Sequence, residues 1–490
     1  MSALSNAERY RPQVHFTAQR NWINDPNGLV YWDGEYHLFY QYNPIGDQWG
    51  HMSWGHAVST DLMHWSELPV AIPEDDRASI FSGSVVMDVH NTSGFGDGIT
   101  APMVAIYTGC LRVPEGGQAQ ELAYSLDRGR TWTKYAANPV LDLGLRDFRD
   151  PKVFWHEATG RWVMLVSLAH EYRLAFYASA NLKDWEFLSD FKSEDTRQGI
   201  WECPDIFVLP LAGEEPVWVL KVDVLEGHPS EGSGARVFLG DFDGTRFHLR
   251  AEQASPWADF GADFYAAVAW GNTETVRHVP VWIGWMNCHR YAKHLPTSPW
   301  RGAMSLPRAL SLKRTPVGIR LAQQPVPELL ALRDAPSCHH FELTTRGEIA
   351  LHHTAQGTPR EALEIHMECA QSDALQWGGV WRTGPAEFTR WGYDCPSATV
   401  FVDRGHSGFL PDDPAFATRR SAPCPGPTPG QPITLRVVID RCSLEVFVNE
   451  GDIVLTEQFF PQGDENTLAL FSEGGTTQWA QVQVWPLKAA

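Results

Sequence analysis

The sequence predicts an all-β chain of two domains, a β-propeller of about five blades followed by a β-sandwich. Three observations predict it. Short aromatic and β-branched runs joined by tight turns recur along the 490 residues, and amphipathic helical periodicity is nearly absent. Acidic residues open successive units at Asp150, Glu202 and Asp263, a spacing of roughly 50–60 residues that suits four-stranded blades. A Pro-rich stretch, 321–336 (LAQQPVPELLALRDAP), then separates this region from a second one of strand type.

The elements follow in order. Residues 29–32 and 36–42 read as a hairpin across Asp33-Gly34, a dipeptide suited to the tight turn between paired strands. Runs 153–156 and 162–167 flank Gly160, and 206–209 and 217–222 flank Gly213. About 320 residues at the observed period make five blades, whose equivalent strand ends point at one axis. That geometry can gather Asp25, Asp150 and Glu202, which are far apart in the chain. After the Pro-rich stretch, Leu435, Val437 and Ile439 alternate with polar residues, and 444–448 and 453–455 flank a turn at Asn449-Glu450-Gly451. The expected organisation is a propeller over 1–321, a linker with a short helix over 322–336, and a sandwich of two packed sheets over 337–490.

Composition narrows the function. Lys+Arg number 39 and Asp+Glu 59, a formal net charge of −20. Such a chain is repelled by nucleic-acid phosphates and anionic membranes, so neither is an expected partner. No apolar run is long enough for a transmembrane helix. If Met1 is the native start, no secretory leader precedes the domain and a cytoplasmic location is expected. The eight cysteines are dispersed without a Cys-x-x-Cys pair and read as free thiols. The 21 Trp have two readings, β-rich core packing and sugar recognition by flat indole rings.

Three carboxylates carry the candidate chemistry. Asp25 lies in 22–28 (WINDPNG); the segment reads either as a plain turn or as a rim that holds an ionised nucleophile. Glu202, between Trp201 and Cys203, reads as a solvated strand-end residue or as a desolvated proton donor with a raised pKa. Asp150 follows Arg149 and reads as a surface ion pair or as a paired, ionised carboxylate that binds substrate hydroxyls. A nucleophile, a proton donor and a binding acid together match glycoside hydrolysis.

The motifs make the sequence resemble glycoside hydrolase family 32, the invertases, fructanases and inulinases. They include WINDPNG, Gln41, Trp49-Gly50, 54–57 (WGHA), 59–65 (STDLMHW), 81–84 (FSGS), 148–151 (FRDP), 201–204 (WECP), 263–266 (DFYA), 284–286 (GWM), 300–312 (WRGAMSLPRALSL) and 440–447 (DRCSLEVF). The resemblance spans about His15 to Pro486 and implies a five-bladed β-propeller with a C-terminal β-sandwich. It implies a retaining, exo-acting β-fructofuranosidase, with Asp25 as nucleophile, Glu202 as acid/base and Asp150 as transition-state stabiliser beside Arg149. It further implies Asn24, Gln41 and Ser82 as polar substrate contacts, Trp22, Trp49, Phe81 and Trp285 as pocket walls, and Tyr265 as a bonding partner near the acid/base. For Trp49 and Trp285 a core role stays open. Retention places the two working carboxyl groups about 5–5.5 Å apart. No cofactor or metal is implied. In one place the chain departs from the pattern: His289 stands near the outer subsites where many relatives carry an aromatic residue.

The expected substrate is sucrose or a short fructo-oligosaccharide, since polymers rarely cross membranes to the cytoplasm. Polymeric fructan acted on by an exo-levanase or exo-inulinase is the alternative, and so is fructosyl transfer by the same residues. A propeller hydrolase of arabinans or xylans, a catalytically dead sugar-binding protein and a metal enzyme using His51, His56 and His64 are weaker rivals. A homo-oligomer is compatible with the sequence.

Overall fold

The computed structural model describes residues 8–490 except 114, 194–198, 252, 254–255, 275, 278, 335–338, 352–361 and 428–431. Cys338 and parts of the Pro-rich stretch and of the loop after Cys424 therefore lie outside the described residues. The described elements are strands and four short 3-10 turns.

Five sheets form the N-terminal propeller, their main strands in sequence order from the axis outward, with Trp300–Arg301 added beside the first strand of the first sheet. Their innermost strands are Asn21–Trp32, Ala78–Met87, Phe148–His156, Trp201–Leu209 and Tyr265–Ala269. The hairpins read from sequence are present. Asp33 and Gly34 both have positive φ, 47° and 85°, the turn geometry that matches the twist of paired strands. The ring closes where Trp300–Arg301 pairs in parallel with Asn21 and Trp22, joining the fifth blade's connection to the first blade. The fifth blade's last strand runs Gly318–Pro325, past the expected start of the linker, and a single short turn follows at Pro327–Leu332.

A local repeat links the outer strands of blades one to three. Ser59-x-Asp61, Ser125-x-Asp127 and Ser179-x-Asn181 each make a side-chain-to-backbone turn. Each turn has one non-glycine residue in the left-handed region, Leu62, Arg128 and Leu182. A Trp then clips back: the indole N–H of Trp65, Trp132 and Trp185 donates to a carbonyl three residues earlier, 3.0 Å in each case. Much of the Trp content is thus blade architecture; only Trp22 and Trp49 line the site described below.

The C-terminal strands form two layers joined by one long strand, Thr467–Pro486. Its first part pairs with Gln376–Arg382 and its second with Leu363–Ser372. His339–Ala350 follows it through both parts. Both strands break register together, near Gly347 (φ 76°) and Gly474 (φ 72°), where positive φ lets the backbone turn the corner. Trp377, Trp391, Trp479, Ile365, Val437 and Leu470 pack between the layers.

Buried charges weld the two regions. His15 lies between the carboxylates of Asp440 (2.8 Å) and Glu445 (2.9 Å). Arg308 reaches Glu445 and, at 3.0 Å, Asp259. The motif beginning at Asp440 is therefore an interface motif. Asp263, which the spacing placed among the acids opening each blade, also serves here: its carboxylate accepts from Tyr291 and from Arg404 of the sandwich.

Candidate active site

Every innermost blade strand carries a β-bulge at the same end. The register steps three residues against two between Ile23 and Pro26, Ile80 and Gly83, Arg149 and Lys152, Glu202 and Asp205, and Tyr265 and Val268. A bulge re-aims side chains that a regular pleat would send to alternate faces. The five bulges hold Asp25, Ser82, Asp150, Cys203 and Ala266. The residues just before these are Asn24, Phe81, Arg149, Glu202 and Tyr265. Asp150, Cys203 and Ala266 take positive φ (67°, 46° and 53°), local strain of the kind that collects at functional sites.

The bulged ends surround a cavity of about 440 Å³. Its lining includes Asp25, Asp150 and Glu202 together, with Trp22, Asn24, Gln41, Trp49, Phe81, Ser82 and Arg149. Behind Ser82 and Asp150 the axis continues only as a space of about 20 Å³. The cavity is therefore a blind pocket too narrow at its floor for a sugar chain to pass.

The three acids are held differently. Asp25 is buried and accepts from the Ser82 hydroxyl at 2.6 Å and the Asn24 amide at 3.1 Å, with the Cys203 thiol at 3.4 Å. Trp22 in turn donates to the Asn24 carbonyl oxygen at 2.7 Å, which fixes the amide's orientation. Asp150 accepts from the Cys203 backbone N–H at 2.9 Å, while its own N–H donates to Thr108. Glu202 is clamped on both oxygens: Arg149 donates twice to one, at 2.9 and 3.0 Å, and Tyr265 donates its hydroxyl to the other at 2.5 Å.

These surroundings correct two expectations. Burial does raise the Glu202 carboxyl, but Arg149, His289 and the Tyr265 hydrogen bond outweigh it, so Glu202 is held below its ordinary carboxyl value. Asp150, expected to be simply ionised, is pushed up to about 7 by burial; Arg149 opposes this, and Glu202 and Asp25 add repulsion. Asp150 and Glu202 repel each other across the pocket, so their titrations are linked.

The wall residues also sort themselves. Trp49 is 49% exposed and meets Phe81 edge-on at 6.2 Å, so it is a rim residue and not core. Trp285 does not line the cavity: it is fully buried and packs behind Trp22 (5.9 Å) and His289 (5.1 Å). Tyr265 likewise stands behind Glu202. The lining adds Gln118, Asp147, Leu225, His289, Ala292 and Lys293. Of these only His289 had a sequence signal; Gln118 opens a strand of the second blade, and the others sit on connections whose path the motifs do not encode. Gln118 and Asp147 both bond Arg149, at 3.2 and 3.0 Å, and so orient it. His51, His56 and His64 do not converge; they pair separately with Glu74, His37 and Asp61.

Comparison with known proteins places this geometry. Residues 15–325 match the glycosyl hydrolases family 32 N-terminal domain, and residues 328–486 match the family 32 C-terminal domain. A levanase of Bacillus subtilis (strain 168) is 46% identical over 488 residues, covering 98% of this chain and 71% of that protein. An extracellular exo-inulinase of Aspergillus awamori is 39% identical over 520 residues, covering 99% and 96%. The crystal structure of exo-inulinase from that organism superposes with a TM-score of 0.91 at 39% identity, over 99% of this chain and 100% of that one. A fructofuranosidase from Schwanniomyces occidentalis complexed with fructosylnystose follows at 0.88 and 30%, covering both chains fully.

Proposed function

The chain belongs to glycosyl hydrolase family 32, and from that premise we propose that it removes terminal β-fructofuranosyl units from sucrose, fructo-oligosaccharides and fructans with retention of configuration. The observation that carries this reading is the convergence of Asp25, Asp150 and Glu202, from three different blades, on one blind pocket. A blind pocket accepts the end of a chain and not its middle, which supports exo action.

In this reading Asp25 attacks C2 of the fructosyl unit and Glu202 protonates the departing glycosidic oxygen, so the C2–O bond breaks as the C2–carboxylate bond forms. Glu202, now ionised, then takes a proton from water, whose oxygen attacks C2 and frees Asp25. Fructose hydroxyls that donate to Asp150 favour its ionised form, and a glycosidic oxygen that accepts from Glu202 favours the protonated form that the first step needs. Asp150 then stays as the charge facing the developing oxocarbenium ion. Gln41 has an amide nitrogen without a partner among the described atoms, which suits it to a substrate hydroxyl. Trp22, Trp49 and Phe81 supply the apolar faces.

The test is product analysis over time with sucrose, 1-kestose, inulin and levan, at low and high sucrose. Free fructose from the outset supports exo-hydrolysis, and relative rates rank the substrates. Larger fructosylated products at all sucrose concentrations would move the assignment to transfer with the same three acids. No turnover of any substrate would overturn the reading. The relatives named above are called levanase and exo-inulinase, so polymers belong in the series beside the short sugars.

A further inference from the structure

We propose that the C-terminal sandwich sets the position of the pocket's leaving-group wall, with Arg404 and Asp413 as positioning residues that never touch substrate. The inference rests on the fructosidase reading above. It starts from residues 287–294, a connection that no strand ladder supports. Tyr291 and Ala292 donate their N–H groups to the Cys288 carbonyl (3.2 and 3.0 Å), and His294 donates to Tyr291 (2.8 Å), so the segment makes one tight turn. A single turn gives its residues two faces. His289, Ala292 and Lys293 line the cavity. Arg290 and Tyr291 face the other way.

That other face is gripped by the sandwich. Arg290 forms a two-pronged pair with Asp413, at 3.0 and 3.1 Å. The Tyr291 hydroxyl accepts from Arg404 (2.9 Å) and donates to Asp263 (2.7 Å), and its ring packs edge-on against Phe416 at 5.0 Å. Arg404 is fully buried and also binds the other Asp263 oxygen (2.5 Å) and the Gln458 carbonyl (2.7 Å). Asp263 stands two residues before Tyr265, the donor to Glu202. One sandwich guanidinium thus holds both the outer wall and the strand start that orients the proposed acid/base. His289 adds a direct tie, lying edge-on against Tyr265 at 4.7 Å.

The consequence is separable from general stability. The fructosyl unit sits among Asp25, Asp150, Ser82 and Trp22, on inner blade strands locked by their own ladders. Loosening the 287–294 turn should weaken contact with whatever is attached to fructose and spare fructose itself. The Arg290–Asp413 pair, with Arg290 39% exposed and Asp413 15%, is the better handle, because pairs that reach solvent contribute little to folding. Arg404 is a buried ion-paired group whose deletion endangers the fold.

The experiment compares the wild-type enzyme with Asp413→Ala, Arg290→Ala, Asp413→Glu and Arg404→Lys. It reads melting temperature, kcat and KM for sucrose and 1-kestose, and the competitive inhibition constant of fructose. The expected result for Asp413→Ala and Arg290→Ala is KM raised about three- to tenfold, since small misplacements of binding groups are felt strongly. The fructose constant should stay within about twofold, and Asp413→Glu should recover most of the loss. Arg404→Lys should shift the same parameters in the same direction and by more. A parallel rise in KM and in the fructose constant would overturn the proposal, because it would mean general loosening. So would no change in either. Failure of the underlying function reading is distinguishable, since the wild-type enzyme would then turn over neither sugar.

Discussion

Raising the pH should unlatch the propeller from the sandwich at one identifiable residue, His15. Both of its ring nitrogens face carboxylate oxygens, Asp440 at 2.8 Å and Glu445 at 2.9 Å. A neutral imidazole has one N–H, so losing the proton turns one of these bonds into a contact between lone pairs. Burial by itself would favour that loss, but the two carboxylates prevail and raise the group from 6.5 to about 9. The acceptors cannot turn away. Asp440 also takes the backbone N–H groups of Gln13 and Val14, and Glu445 takes that of Leu306.

The sign follows from linkage. A folded-state pKa above the unfolded value gives stability that is complete below about pH 6.5 and is lost as pH rises through about 9. The shift corresponds to about 3 kcal/mol at full strength; most of it remains at pH 7 and almost none at pH 9.5. For a chain of this length that loss lowers the melting temperature by about 2–3 °C. The assay is thermal or urea unfolding at intervals from pH 6 to 9.5, on the wild type and on His15→Gln. The variant should be less stable at pH 7 and should lack this component of the pH slope. Parallel slopes for the two proteins between pH 7 and 9.5 would refute the argument.

Other outcomes follow from the site. Asp25→Ala should lower kcat by about 10⁴-fold or more, with folding intact by circular dichroism. Glu202→Gln should reduce kcat about 10²–10⁴-fold on sucrose and much less on a substrate whose leaving group departs without a proton, which steady-state kinetics on the two substrates will compare. Ser82→Ala removes a 2.6 Å hydrogen bond to Asp25 and should cut kcat/KM about 10–100-fold, the usual worth of a bond to a charged group. Dialysis against a chelator should leave the rate unchanged, since the proposed double displacement uses no metal; a loss restored by a divalent cation would argue against it.

The motifs made the candidate acids legible, because each stands in a short string that forms a strand bulge: Asp25-Pro26, Asp150-Pro151 and Glu202-Cys203-Pro204. Hairpins were legible for a similarly local reason, as at Asp33-Gly34, where two residues with positive φ make the turn. Trp285 shows the limit. Its motif placed it at the pocket, but whether an indole faces the cavity or backs its wall depends on Trp22 and His289, which arrive from other segments. The same limit governed the protonation of Glu202. Its sequence neighbours, an indole and a thiol, promised a raised pKa; Arg149 and Tyr265, from the blades on either side, reverse it.

By itself, then, the sequence determined the strand-and-turn content, the blade period and which acids are candidates, since each is encoded within a few residues by turn chemistry, alternation and residue type. Tertiary structure alone decided which atoms face one another. The bulges that carry the pocket residues inward, the opposite displacements of the Asp150 and Glu202 carboxyls and the sandwich's hold on the 287–294 turn all join residues tens to hundreds apart in the chain. Electrostatics and packing act through space, and only the closed ring of blades brings those partners within their range.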